Sequence, residues 1–360
     1  MNDRVYNFSA GPSMLADEVI EKLRDDMLSY EGSGMSVMEM SHRSKVYLAI
    51  FEDCKARLKK LLSIPDDYEV LFMHGGATGQ FSAVPLNLMK SGKADYIITG
   101  NFSKKAAEEA AKFGEVNIAY DSAENNHSRI PSFEELKLSA DADYVHLCSN
   151  NTIFGTEWQS FPDTGSIPLV ADMSSDILSK PVNVSDFGLI YAGAQKNMGI
   201  AGMAAVIIRK DLAVADASRM PVLYNYAVEI KNDSMYNTPS SYSIYVLDEV
   251  LKWIESIGGL QEMEKRNRAK AALLYDYLDS QNYYLPHAQK DSRSIMNVTF
   301  TTPDKDTDSE FAAKATERGL VNLKGHRLVG GIRASIYNAM PIEGVRKLVE
   351  FMDEFAREKR

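Results

Sequence analysis

Short apolar runs alternate with stretches whose apolar positions recur every three to four residues, and this alternation organises the first two thirds of the chain. Glu69–Met73 (EVLFM), Asp95–Thr99 (DYIIT), Val116–Tyr120, Tyr144–Cys148, Leu169–Asp172 (LVAD), Leu189–Ala192 (LIYA) and Ala204–Ile208 (AAVII) read as strands. Their nearly continuous apolar character suits strands buried on both faces. The segments between them predict helices over 45–62, from the His74–Gln80 turn to about Met89, and over 103–113. Upstream, residues 14–29 read as an amphipathic helix with Ser13 as its N-cap. This pattern predicts an α/β fold, a mainly parallel sheet sandwiched by helices.

The pattern changes near residue 240. Helices are predicted over 240–257 and 260–279, separated by Gly258-Gly259. A strand at 295–301, a helix at 307–318, a strand at 332–336 and a helix at 341–356 follow. This looser order predicts a smaller α+β C-terminal domain. Residues 16–259 are expected to form the large domain, and residues 1–15 with 260–360 the small one. A length of 360 residues suits such a division.

Composition narrows the function classes. The net charge of −10 gives no general attraction to nucleic acid or an anionic membrane. No apolar run approaches the roughly 20 residues of a membrane helix, and the N-terminus MNDRVYNFSAGP lacks a signal pattern. The two cysteines, Cys54 and Cys148, have no metal-type spacing, and no disulfide framework is expected. A cytoplasmic protein is the expectation. Two basic clusters stand out on this acidic chain: His42-Arg43-Ser44-Lys45 and Lys324-Gly325-His326-Arg327.

In an open parallel sheet, ligands bind beyond the carboxyl ends of the strands. After EVLFM, the turn His74-Gly75-Gly76-Ala77-Thr78 opens a helix, whose free N–H groups favour a phosphate. It is neither a dinucleotide fingerprint nor a Walker A sequence. After DYIIT stands Phe102, which suits a core position or a stack on a flat ring. Asp172 ends LVAD, as a helix cap, a loop anchor or the partner of a protonated ring nitrogen. After LIYA comes Gly193-Ala194-Gln195-Lys196-Asn197, a lysine among small residues between two buried strands. Confinement would lower its pKa and give the neutral amine of Schiff-base chemistry. Together these groups form the set that pyridoxal 5′-phosphate (PLP) requires: an amine for the aldehyde, a carboxylate for the ring nitrogen and N–H donors for the phosphate.

Longer runs carry a resemblance: Asn7–Pro12 (NFSAGP), Ser36–Arg43 (SVMEMSHR), His74-Gly75-Gly76 with Gly79-Gln80, Tyr191–Asn197 (YAGAQKN), Asn237-Thr238-Pro239 and Leu323–Met340 (LKGHRLVGGIRASIYNAM). The sequence resembles the phosphoserine aminotransferase family of fold-type I PLP enzymes, in the class V subgroup. The resemblance implies that Lys196 carries the cofactor as a Schiff base and moves the proton during transamination. It implies that Asp172 pairs with the pyridine nitrogen, Phe102 stacks on the ring and Thr152 binds the phenolic-oxygen side. Ala77, Thr78 and Gln195 would surround the cofactor phosphate. Asn237 and Thr238 would reach the neighbouring subunit's cofactor, making the unit a homodimer with shared sites. Arg333 would hold the substrate α-carboxylate, and His42, Arg43, His326 and Arg327 the distal anion. The implied reaction converts 3-phosphohydroxypyruvate and glutamate to phosphoserine and 2-oxoglutarate. A phosphorylated four-carbon substrate of PLP synthesis is also implied, and the residues do not decide its use. Many bacterial members carry arginine where this chain has Thr78 and tryptophan where it has Phe102.

The rival readings each lack something. A cysteine desulfurase needs a reactive cysteine on a mobile loop, whereas Cys54 falls on a predicted helix and Cys148 at a strand end. A transaminase of an uncharged amino acid would not need both basic clusters. An NAD-dependent dehydrogenase needs a fingerprint that HGGATGQ does not provide. A non-catalytic binding protein of this fold should have lost Lys196 or Asp172.

Overall fold

The computed structural model describes residues 4–213 and 220–359; residues 1–3 and 360, at the margins of the expected small domain, lie outside the described residues. The chain opens with a two-residue strand β1 (Tyr6–Asn7), then α1 (Asp17–Asp25) and α2 (Lys45–Leu61). Strands and helices follow as β2 (Tyr68–His74), α3 (Gly76–Leu88), β3 (Lys93–Ile98), α4 (Asn101–Ala110), β4 (Glu115–Asp121) and β5 (Val145–Cys148). A short hairpin of β6 (Asn150–Asn151) and β7 (Thr156–Glu157) leads to β8 (Leu169–Asp172), β9 (Leu189–Gly193) and β10 (Met203–Arg209). Helices α5 (Tyr226–Lys231), α6 (Ser241–Ser256) and α7 (Gly259–Ser280) precede β11 (Leu285–Pro286), β12 (Asn297–Thr301), α8 (Lys305–Glu317), β13 (Leu320–Val321), β14 (Ile332–Ser335) and α9 (Ile342–Lys359).

The large sheet has the order β2-β10-β9-β8-β5-β3-β4. Only β10 runs against its neighbours, β2 and β9; the other pairs are parallel. The sheet is therefore mainly parallel, as the apolar runs predict. The central strands β5, β8 and β9 are buried at every position, which explains their lack of polar alternation. Strands β2, β3, β5, β8 and β9 consequently end along one edge, and that edge carries the glycine turn, Phe102, Asp172 and Lys196.

A second, antiparallel sheet has the order β11-β12-β14, and β1 pairs in parallel with β13. Phe8 thereby joins an apolar cluster with Leu274, Phe300, Phe311, Val345 and Phe355. Helix α7 belongs to both halves. Leu260 and Met263 face the core of the large sheet, whereas Ala271, Leu274 and Leu278 face the second cluster.

Two buried polar clusters join the halves. Asn150 Nδ2 donates to Ser175 Oγ (2.7 Å) and Asn297 Oδ1 (2.8 Å), and Asn150 Oδ1 accepts from Ser294 Oγ (2.6 Å). Nearby, Lys270 on α7 donates to the carbonyls of Ile336 (3.0 Å) and Tyr337 (2.7 Å), just past β14. Asn267 Nδ2 donates to Asn338 Oδ1 (2.8 Å), and the Asn338 N–H donates to Asn197 Oδ1 (3.1 Å), beside Lys196.

One expectation at the N-terminus fails. The first helix spans Asp17–Asp25 rather than 14–29, and its cap position is Ala16, with no side-chain cap. Ser13 is not the N-cap. Its N–H donates to the Gln195 carbonyl (2.9 Å) and its hydroxyl to the Lys196 carbonyl (2.6 Å). Those bonds hold residues 10–15 against the lysine loop, and the helix begins only after that contact ends.

Gly155, in the β6–β7 turn that carries Thr152, has φ +73°, and an added Cβ would lie 2.7 Å from Thr299 Oγ1 and 2.8 Å from the Asn297 carbonyl. Gly155→Ala is expected to lose roughly 2–4 kcal/mol of stability through combined backbone strain and overpacking. Urea unfolding measures this, and an unchanged midpoint would contradict the tight approach of this turn to β12.

Candidate active site

The strand ends enclose a cavity of about 570 Å³ lined by Gly75, Gly76, Ala77, Thr78, Phe102, Thr152, Asp172, Gln195, Lys196, His326 and Arg333, among others. The cradle at one end follows from local backbone chemistry. Gly75 caps α3 with φ +89°, a conformation that disfavours any side chain, so the chain leaves β2 and enters the helix with its first N–H groups facing the cavity end. Those donors and the positive helix terminus suit a phosphate.

Asp172 ends β8 and is 5% exposed. One of its oxygens, Oδ1, accepts from the Ser174 N–H (2.9 Å) and the Ser174 hydroxyl (2.5 Å). The Ser174 hydroxyl in turn accepts from the Gly193 N–H (3.0 Å), tying the ends of β8 and β9 together. Burial pushes the Asp172 carboxyl up, opposed by the Ser174 hydroxyl and the Lys196 ammonium. Such a carboxylate is well placed to gain from a cationic N–H donor in the cavity.

Lys196 sits in the loop after β9. Its Nζ lies 5.5 Å from the centre of the Phe102 ring, and among the described residues it forms no ion pair within 4 Å. Burial pushes its pKa down, Arg333 adds to that direction, and Asp172, Cys148 and Asp176 oppose it. The lowered pKa raises the share of neutral, nucleophilic amine. Phe102, in the first turn of α4, forms one wall. Across the cavity, Arg333 projects from β14, its Nη1 donating to the Thr152 carbonyl at 3.2 Å. Burial lowers its pKa from the usual guanidinium range. His326 is pushed down by burial, then by Arg333, Arg327 and Lys105.

The cavity thus joins an amine, an anchored carboxylate, a flat aromatic wall and a helix N-terminus. These groups fit PLP: the amine meets an aldehyde, the carboxylate a ring nitrogen and the terminus a phosphate. Five expected residues do not line the cavity of this single chain. His42 and Arg43 occupy the turn before α2, with Arg43 Nε 3.3 Å from His42 Nε2, and Asn237 and Thr238 are exposed. The Thr238 carbonyl is 3.0 Å from His74 Nε2. Arg327 is exposed beside His326 and does not line the cavity.

Sequence reasoning missed Ser174, Asn150 and Lys105. The Asp172-x-Ser174 spacing, typical of a side chain bonding the backbone two residues on, could have marked Ser174. Lys105 stands three residues after Phe102 on α4, hence on the same helix face. The partners of Asn150 are distant in sequence and left no local signal. Both cysteines are buried, and burial pushes both thiols up, away from the thiolate that desulfuration needs.

The lowered Lys196 pKa has a direct consequence. In protein stripped of cofactor, trace labelling with acetic anhydride across a pH series should titrate Lys196 at lower pH than the solvent-exposed lysines. Coincident titration would show that the cavity does not perturb the amine.

The class-V aminotransferase family pattern matches residues 5–348. The chain is 52% identical over 360 residues to the phosphoserine aminotransferase of Bacillus cereus, covering 99% of this chain and all of that protein. It is 51% identical to the Geobacillus kaustophilus enzyme, over 98% and 99% of the two chains. The structure of phosphoserine aminotransferase from Bacillus circulans subsp. alkalophilus superposes with a TM-score of 0.98 at 46% identity, covering both chains completely. The PLP-bound enzyme of Trichomonas vaginalis superposes with a TM-score of 0.93 at 41% identity, over 97% of this chain and all of that one. An alanine–glyoxylate aminotransferase from Nostoc, at 16% identity and a TM-score of 0.79, shares the fold. With that site at the edge of that sheet, this chain belongs to the class-V aminotransferases and, within them, to the phosphoserine aminotransferase family.

Proposed function

We propose that this protein is a PLP-dependent transaminase of serine biosynthesis that converts 3-phosphohydroxypyruvate and glutamate to phosphoserine and 2-oxoglutarate. The observation that carries the reading is the single cavity into which Lys196, Asp172 and Arg333 converge from two sheets. When bound, PLP supplies an aldehyde carbon for the amino group and a ring that accepts the electrons of the broken α-C–H bond.

The chain's residues supply the rest. Ala77, Thr78 and Gln195 would hold the cofactor phosphate, Phe102 would cover one ring face and Thr152 would lie toward the phenolic oxygen. Asp172 would pair with the ring nitrogen. Lys196 would hold the cofactor and, once the substrate's amine has displaced it, would serve as a free neutral amine that takes the proton from the substrate α-carbon and gives it back on the cofactor side. Arg333 binds the α-carboxylate with its planar fork of donors. His326, on the cavity wall, meets the distal anion, and Arg327, exposed at the cavity's margin, would have to turn inward to join it. Both a phosphate and a γ-carboxylate accept several hydrogen bonds, so one basic pocket serves glutamate and phosphoserine in turn, as a ping-pong cycle requires.

His42, Arg43, Asn237 and Thr238 lie outside their own chain's cavity. We assign them to the cavity of a second copy, so that the working unit is a homodimer with shared sites. The same reading divides the chain into a PLP-binding domain of residues 16–259 and a small domain of residues 1–15 and 260–360. It places the enzyme in the cytoplasm, where serine is made and where thiols such as Cys54 and Cys148 stay reduced. No described helix is long and apolar enough to cross a membrane. The alternative is a transaminase of the same fold acting on another small amino acid. It leaves the cations around His326 without a partner on the substrate, and we rank it second.

A half-reaction tests the assignment. Phosphoserine added to the purified PLP form is expected to shift the visible absorption rapidly to that of the pyridoxamine form, while alanine leaves it in place. A faster response to alanine would keep the chemistry and reject the substrate. A protein that takes up no PLP would reject the reading altogether.

A further inference from the structure

Beside the inner cavity lies a second one of about 680 Å³, set between α3 and α4 and lined by Thr78, Ser82, Lys105, Glu108, Glu109 and Lys112, among others. Gly75, Thr78, Phe81 and Phe102 line both cavities, so the two adjoin across a shared wall. Phe102 stands in the first turn of α4, and Lys105 follows it by three residues. Positions three apart on a helix share a face, which brings the lysine to the same side as the ring.

Other charges of the outer cavity are already committed. Glu109 accepts from the Ser82 hydroxyl (2.9 Å) and from the Lys112 ammonium (2.5 Å). Lys105 is exposed and, among the described residues, forms neither a hydrogen bond nor an ion pair within 4 Å, even with Glu108 one turn on. Its charge nevertheless bears on the inner cavity. His326, on that cavity's wall, is pushed down by burial first, then by Arg333, Arg327 and Lys105. Arg333 and Arg327 belong to the C-terminal segment and Lys105 to a helix of the large sheet, so cations from both halves of the chain converge on one histidine.

We propose that Lys105 is a specificity residue for the distal group of the substrate: its free ammonium, on a flexible stem, reaches past Phe102 and Thr78 to the rim of the inner cavity and adds a positive charge beside His326. The proposal rests on the reading of that end of the cavity as the distal-anion site. A phosphate monoester carries about −1.5 to −2 charges at neutral pH, and a γ-carboxylate carries a single one. An added cation therefore gains more from phosphoserine than from glutamate. The pair forms at an exposed rim, so its effect is modest and screened by salt.

The test measures kcat/KM for phosphoserine and for glutamate on the PLP-loaded protein and three variants. Lys105→Gln removes the charge and Lys105→Arg keeps it. Lys104→Gln removes the same charge from the adjacent exposed lysine, which lines neither cavity. Lys105→Gln is expected to lower kcat/KM for phosphoserine roughly three- to tenfold, through KM with kcat held, and that for glutamate by no more than about twofold. Lys105→Arg should restore most of the loss, Lys104→Gln should stay within about twofold of wild type, and added salt should shrink the Lys105→Gln effect. An unchanged ratio of the two substrates in Lys105→Gln would overturn the proposal, and so would an equal loss in Lys104→Gln, which would show surface charge in general. A wild-type protein that transaminates glutamate but not phosphoserine would reject the distal-phosphate reading itself, and the role of Lys105 with it.

Discussion

The site depends on one buried amide. Asn150, 1% exposed, stands where the large sheet meets the small one, and its side chain is fully used by Ser175 on one side and Ser294 and Asn297 on the other. A polar group buried without partners costs about 1–3 kcal/mol, so these bonds are satisfied together in one relative placement of the two sheets. Asp172 and Lys196 come from the large sheet and Arg333 from the small one. The amine and the guanidinium can face a common ligand only while that placement holds. The lysine loop is fixed a second time by Ser13 and by the Asn197–Asn338 contact, so both ends of the chain brace the residue between the sheets.

Burial decides the charges in the cavity. The chain is acidic overall, yet the cavity gathers Lys196, Arg333 and His326, with Lys105 and Arg327 at its margin. Loss of water pushes the lysine, the arginine and the histidine in the same direction, toward losing their protons, and repulsion from Arg333 adds to it at Lys196 and His326. An anionic ligand relieves both penalties, which gives the pocket its preference without any favourable net charge on the protein. Lys270 shows that a depressed lysine is not enough for chemistry. Burial pushes it down to about 7, but its amine is committed to the backbone carbonyls after β14 and supports the strand that presents Arg333.

Much of this was legible in the sequence because the sheet's requirements are local. Continuous apolar runs such as LVAD and LIYA can form little other than doubly covered strands, and the polar residue ending each run then falls at the binding edge. Phe102, Asp172 and Lys196 were visible in that way. Arg333 came from resemblance, and so did the role of His326, which composition marked only as part of a basic cluster, since nothing in the spacing of the C-terminal third relates either to the sheet edge. Ser13 misled because a serine before an amphipathic stretch usually caps it, and only the tertiary contact with residues 195 and 196 outweighs that preference. Asn150 was invisible, because its partners Ser175, Ser294 and Asn297 lie far along the chain and no one segment records that the fold brings them together.

The central claim is that Lys196, and no other amine, carries the cofactor. Borohydride reduction of the PLP-loaded protein, followed by peptide mass mapping, tests it most directly. The account predicts a stable phosphopyridoxyl group on the peptide containing Lys196. The group on Lys270 or another lysine, or on none, would contradict it.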